Sequence, residues 1–192
     1  RRRNRWLGKA ANGRERIKGI GMHGLAGTVR QLLLYTLWAD RICLKAMEEV
    51  RSDDLVRAAG ASFGSLLGTL THILQAQRLW LARFEGKQPE RPSAAGEFPD
   101  LQSLVAAWAE TSAELEFFLA ALTPEQVEGD LSWTSLTGAA RTRPLWEPVV
   151  HLVNHTTYHR GQVVSLLRQM GYAPPSTDLI GFLLGQAPAT EP

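Results

Sequence analysis

The 192-residue sequence is short of several things, and each shortage narrows what the chain can be. It has one cysteine, Cys43, so no disulfide can form within it. A chain of this length can bury a core without one, and the low count suits a reducing, cytoplasmic setting. No apolar run approaches the roughly 20 residues that a membrane-spanning helix needs. Alternation of polar and apolar residues, the mark of half-buried strands, is almost missing. There is no internal repeat and no composition break that would signal a second domain. A large excess of charge is also lacking, since 21 Lys and Arg against 19 Asp and Glu leave a net charge of +2.

That balance hides a split. Residues 1–21 hold eight basic side chains and one acid, a net of +7, while the remaining residues hold 13 basic and 18 acidic ones, a net of −5. The basic leader has no apolar stretch after its arginines, so it does not read as a secretory signal. It reads as a disordered extension ahead of Met22, and residues 187–192 as a flexible tail. The acidic body, residues 22–186, opposes phosphate binding, which ranks a nucleic-acid role last.

What the body does have is helical period. Apolar residues recur at three- and four-residue steps from Leu25 to Val50, Ser62 to Phe84, Leu101 to Leu122 and Pro144 to Met170. Gly86 and Gly171 stand where glycines stop helices, and Thr123-Pro124 reads as an N-cap with proline in the first turn. Arg51-Ser52-Asp53-Asp54 reads as a break, and residues 87–100, with three prolines, as a loop. Residues 129–143 are polar and leave a short extended piece open. The expected fold is all-α: an up-and-down four-helix bundle with a short extra helix at Leu179–Leu184.

Four of the five histidines fall in two of these segments: His72 in the second, and His151, His155 and His159 in the fourth. Residues four apart on a helix share a face and are separated by about 6 Å of rise. Two such imidazoles can reach one metal ion at about 2.0–2.1 Å, but His151 and His159, about 12 Å apart, cannot both do so. The pair is therefore His151/His155 or His155/His159. A third ligand must come from a facing helix, where His72 is the available histidine. Arg160 points about 100° from His159 and reads as one half of an interhelical salt bridge.

The stretch HLVNHTTYHRGQVVSLLRQMGYAPPSTDLIGFL, residues 151–183, resembles the C-terminal signature of the DinB/YfiT-like superfamily. Leu34-Tyr-Thr-Leu-Trp38-Ala-Asp40 resembles that family's first-helix Y-N-x-W-A-N, with Thr36 and Asp40 in place of its two asparagines. Leu70-Thr-His72-Ile and Trp80-Leu-Ala-Arg83-Phe-Glu-Gly86 resemble its second-helix histidine and W-x-x-R-x-x-G ending. The likeness covers about residues 24–184.

The resemblance implies a four-helix bundle, often homodimeric, that holds a divalent ion, usually zinc or nickel, on His72, His155 and His159. It leaves His151 as a pocket residue, together with Trp38, Asn154 and Gln162. Tyr158 is a candidate proton donor, set against the simpler role of a packing tyrosine. Three neutral ligands on zinc leave a position open, as catalytic sites do. The implied function is a metalloenzyme that activates a small thiol or water for transfer or hydrolysis. The alternatives are a metal-binding stress or sensor protein without turnover, and a helical dimerisation module.

Overall fold

The computed structural model describes residues 24–60, 62–89 and 97–185. The expectations for the basic leader and for the 187–192 tail lie outside the described residues. Four long helices carry the fold: α1 (Gly24–Ala46), α3 (Leu66–Phe84), α4 (Leu101–Ala121) and α6 (Trp146–Gln169). Short elements join them: α2 (Ser52–Val56), α5 (Pro124–Glu128), the strands β1 (Asp130–Thr134) and β2 (Ala140–Pro144), and a final α7 (Leu179–Leu183). None of the helices is long and apolar enough to cross a membrane.

Local signals place the ends of these helices. The side chains of Ser65 and Asp100 cap α3 and α4, accepting from the backbone N–H of Gly68 and of Ser103. Thr123 and Gln126 close a reciprocal capping box on α5, with Pro124 at its start. α3 and α6 finish just before Gly86 and Gly171. The last residues of the first expected helical segment form a 3-10 turn (Met47–Glu49), and the stretch that reads as a break, Arg51–Asp54, is the N-cap and first turn of α2. Asp53 and Asp54 suit the positive end of that short helix. The Tyr172 hydroxyl pins it, accepting from the Arg51 N–H and donating to Asp54 Oδ2.

Two layers of core explain how the helices are arranged. One layer gathers Val29, Leu33, Leu37, Leu81, Leu115, Leu119, Val149 and Leu152. The other gathers Cys43, Met47, Leu66, Leu70, Leu104, Trp108, Val163 and Leu167. Along the chain, α1 and α6 pass from the first layer to the second, whereas α3 and α4 pass from the second to the first. The all-α four-helix bundle expected from the sequence is the observed fold, but its directions run up, down, down, up and do not alternate, because α3 and α4 run parallel. α6 packs on both α1 and α3, and α4 on both α3 and α1, so α1 and α3 stand across a diagonal.

The polar stretch 129–143 is an antiparallel hairpin in which Leu131 faces Arg143 and Trp133 faces Arg141. Its Leu131 side chain is buried against the bundle, and Trp133 packs beside it. On the opposite flank, Trp38 and Tyr35 of α1 hold α7 through Phe182, with ring centroids 5.6 and 5.9 Å apart.

One ion pair crosses the bundle interior. Arg160 Nη1 donates to Asp40 Oδ1 at 2.8 Å, and the two side chains are 1% and 2% exposed. Gln77 Nε2 of α3 donates to the other carboxylate oxygen, and Arg160 also donates to Thr157 and lies over the Tyr35 ring. This is the interhelical salt bridge expected of Arg160. Burial pushes the Asp40 carboxyl above its ordinary range, while the Arg160 charge and the Gln77 hydrogen bond pull it back. Removing one partner strands the other. Asp40→Ala is expected to lower the unfolding free energy by about 3–5 kcal/mol in chemical denaturation. Arg41→Ala, which removes the exposed Arg41–Glu116 pair at 3.8 Å, is expected to cost under about 1 kcal/mol.

Candidate metal centre

The antiparallel contact of α3 and α6 sets His72 opposite one turn of α6 that carries His155 and His159. His72 Nε2 and His155 Nε2 lie 3.2 Å apart, and one ligand nitrogen from each of the three rings falls within 4.8 Å of the others. The ring centroids are 5.0, 4.5 and 4.4 Å apart. His151 is not in this group. It sits at the exposed rim, 5.9 Å from His155 by ring centroid, so the histidine pair on α6 is His155/His159.

Two contacts orient the rings. His159 Nδ1 lies 3.0 Å from Gln162 Oε1, which accepts a proton from it and leaves Nε2 as the lone-pair atom. Phe63 stacks on His72 at 3.8 Å with an angle of 14°, and meets His159 edge-on at 5.2 Å. Phe63 reads in the sequence as the first core residue of the second helix. It stands instead in the turn before α3, folded back over the site. That turn depends on Gly68, where an added Cβ would come within 2.1 Å of the Phe63 carbonyl oxygen. Glycine at an interior helix position is the signal that could have found it.

The electrostatics suit a cation. Burial lowers the pKa of His72 to about 4, with the neighbouring His159 adding to the effect. Burial lowers His155 to about 4 as well, reinforced by His159, His72 and His151. Both rings are therefore neutral at pH 7 and hold their lone pairs ready. His155 Nδ1, the nitrogen that faces away from His72, is buried with no hydrogen-bond partner.

These residues fit the divalent ion that the sequence resemblance implies. Two nitrogens bound at about 2.0–2.1 Å to one tetrahedral ion stand about 3.3 Å apart, close to the His72–His155 spacing. The donor set is three imidazoles from two rigid helices, and it would leave a fourth position for water or substrate. Beside it opens a groove of about 440 Å³ lined by Gly60, Ser62, Tyr158, Gln162 and Ser165 among others.

The other candidates scatter. Tyr158 is 66% exposed, so it is not a core-packing tyrosine; its ring meets His159 edge-on at 5.0 Å and its hydroxyl is open to the groove side. Gln162 touches the site directly. Asn154 is exposed one residue before His155 and makes no hydrogen bond to the histidines. Trp38 lies on α1 against Tyr35 and Phe182, away from the three rings.

Comparison with known proteins bears on the family and the fold. The model of the DinB family matches residues 22–190. "Protein DinB" of Bacillus subtilis (strain 168) is 25% identical over 158 residues, covering 77% of this chain and 89% of that protein. The crystal structure of a DinB-like protein from Bacillus cereus ATCC 10987 has a TM-score of 0.60 at 19% identity. It covers 76% of this chain and 94% of its own, a likeness of fold.

Two substitutions probe the supports. Gln162→Ala frees the His159 ring and is expected to weaken zinc binding by about 10- to 100-fold in a competition titration with a chromogenic chelator. Gly68→Ala drives a methyl into the Phe63 turn and is expected to cost about 1–3 kcal/mol in chemical denaturation. The same methyl displaces the ring that stacks on His72, so zinc affinity should fall as well.

Proposed function

The chain belongs to the DinB family, and on that premise we propose that it is a metal-dependent enzyme. In this reading a divalent ion, zinc or nickel, is held by His72, His155 and His159, and a small thiol or water attacks an electrophile there. The observation that carries the reading is the convergence of three imidazoles, from two facing helices, beside an open groove. A bound divalent ion would supply positive charge that lowers the pKa of a coordinated water or thiol into the physiological range.

The chain's own residues supply the rest. Gln162 holds the proton on His159 Nδ1 and so fixes which nitrogen of that ring faces inward. Phe63 covers His72 and His159 on one side and excludes water there. The groove admits a substrate past side chains that carry hydroxyl and amide groups and no formal charge. Tyr158, exposed next to His159 and lining the groove, carries the hydroxyl that would give a proton to a leaving group. Cys43 takes no part in this, because burial first, and Asp40 next, push its thiol up to about 12.

Two measurements test the reading. Elemental analysis of the purified protein is expected to find one divalent ion per chain, lost in both His72→Ala and His159→Ala. Full occupancy in either variant would remove the three-histidine site. Zinc- or nickel-loaded protein is then mixed with cysteine and monobromobimane, in which the thiolate displaces bromide as a C–S bond forms. The conjugation rate should exceed the protein-free rate and return to it on adding a chelator or in His155→Ala. A tightly bound ion with no rate above background across a panel of small thiols would make the protein a binder without turnover.

A further inference from the structure

A second cluster lies about three helical turns beyond His72 along α3, where that helix ends and the hairpin folds across it. Arg83 is 5% exposed, and its guanidinium lies over the Trp80 ring, 4.7 Å from the centroid. Its Nη2 donates to the Thr134 carbonyl oxygen at 3.3 Å, and its Nε is buried with no partner. Among the described residues no carboxylate pairs with it. Buried arginines are almost always paired, because an uncompensated charge is costly to desolvate. Burial also lowers the pKa of this guanidinium, the mark of a cation short of a counter-charge.

The surroundings add positive charge and aromatic surface instead of an acid. Trp133 meets Trp80 edge-on at 5.5 Å, and its cross-strand partner is Arg141. Directly opposed residues of an antiparallel pair share a face, so Arg141 stands on the side of the hairpin that carries Trp133. Arg141 is exposed, donates to the neighbouring Ala140 carbonyl oxygen, and has no carboxylate partner among the described residues. Arg143, two residues on, does have one, in Glu147 at 3.5 Å. His151 meets Trp80 edge-on at 5.3 Å.

Two unpaired arginines flanked by two indoles and an imidazole make a place for a planar or tetrahedral oxyanion, whose oxygens match the guanidinium fork. We propose that Arg83 and Arg141, walled by Trp80 and Trp133, form a subsite for a carboxylate or phosphate group. The group is the far end of the small molecule whose reacting end lies at the three-histidine centre. The link to that substrate rests on the reading given under Proposed function; the anion subsite itself does not. His151 is one turn from His155, about 6 Å along α6, and Arg83 is eleven residues beyond His72, about 16 Å along α3. A molecule that reaches from the three histidines to Arg83 is therefore an extended one, on the order of 16 Å long.

The test titrates inorganic phosphate and, separately, succinate into the full chain, once zinc-loaded and once chelator-treated. The indole N–H signals of Trp80 and Trp133 are followed by NMR. At least one anion should give saturable shifts at both indoles in both preparations, and the one that does so distinguishes phosphate from carboxylate. The dissociation constant should rise by about tenfold or more in Arg83→Gln, through loss of a charge-assisted bond. The exposed Arg141→Gln provides the same reading without disturbing the core. No saturable shift with either anion, or unchanged affinity in Arg141→Gln, overturns the subsite. Zinc that fails to bind while the anion shifts persist overturns only the reading under Proposed function.

Discussion

The carboxylate of Asp40 joins three of the four long helices at one buried point. It stands on α1, takes a charged hydrogen bond from Arg160 on α6 and another from Gln77 on α3. The next residue before Arg160 is His159, and Gln77 is five residues beyond His72. The tie that fixes α6 against α3 therefore lies directly behind the face that bears the histidines. A buried pair of this kind adds little net stability over a hydrophobic substitute, since its attraction is offset by the loss of hydration. What it does supply is a single allowed register, because any slide of α3 or α6 would leave a bare charge in the core.

From that register the site follows with few further demands. α6 offers two imidazoles on one face because they are four residues apart, and α3 offers one more because it runs antiparallel alongside. Gln162 and Phe63 then select ring orientation from opposite sides. The helices provide rigidity, while the turn at Phe63 and the hairpin at Trp133 provide the cover. The positive charge noticed in the composition belongs mostly to the leader. Near the site the cationic groups are two arginines that the net charge of the body conceals.

The parts that were legible in the sequence are those written in local chemistry. The 3.6-residue period gave the four helices, Gly86 and Gly171 their ends, and Thr123 a cap. The spacing of His155 and His159 limited the metal pair to two choices, and family resemblance selected between them. What could not be read depends on neighbours distant in sequence. Period does not encode which helices lie side by side, so the parallel run of α3 and α4 emerges only from the two core layers. The hairpin at 130–144 is held by only one fully buried apolar side chain, Leu131, so its alternation is faint. Phe63 looks like a helix residue because its apolar character is visible and the backward turn permitted by Gly68 is not. Trp38 matches a family position in sequence, yet its contacts are with α7.

The most direct measurement of the central claim is an anomalous diffraction map from crystals grown with zinc, collected on either side of the zinc absorption edge. The account predicts one strong peak at the meeting point of His72 Nε2, His155 Nε2 and His159 Nε2, with His159 Nδ1 still facing Gln162. A map with no peak there, or a peak held by other side chains while His72 and His155 remain hydrogen-bonded to each other, would contradict it.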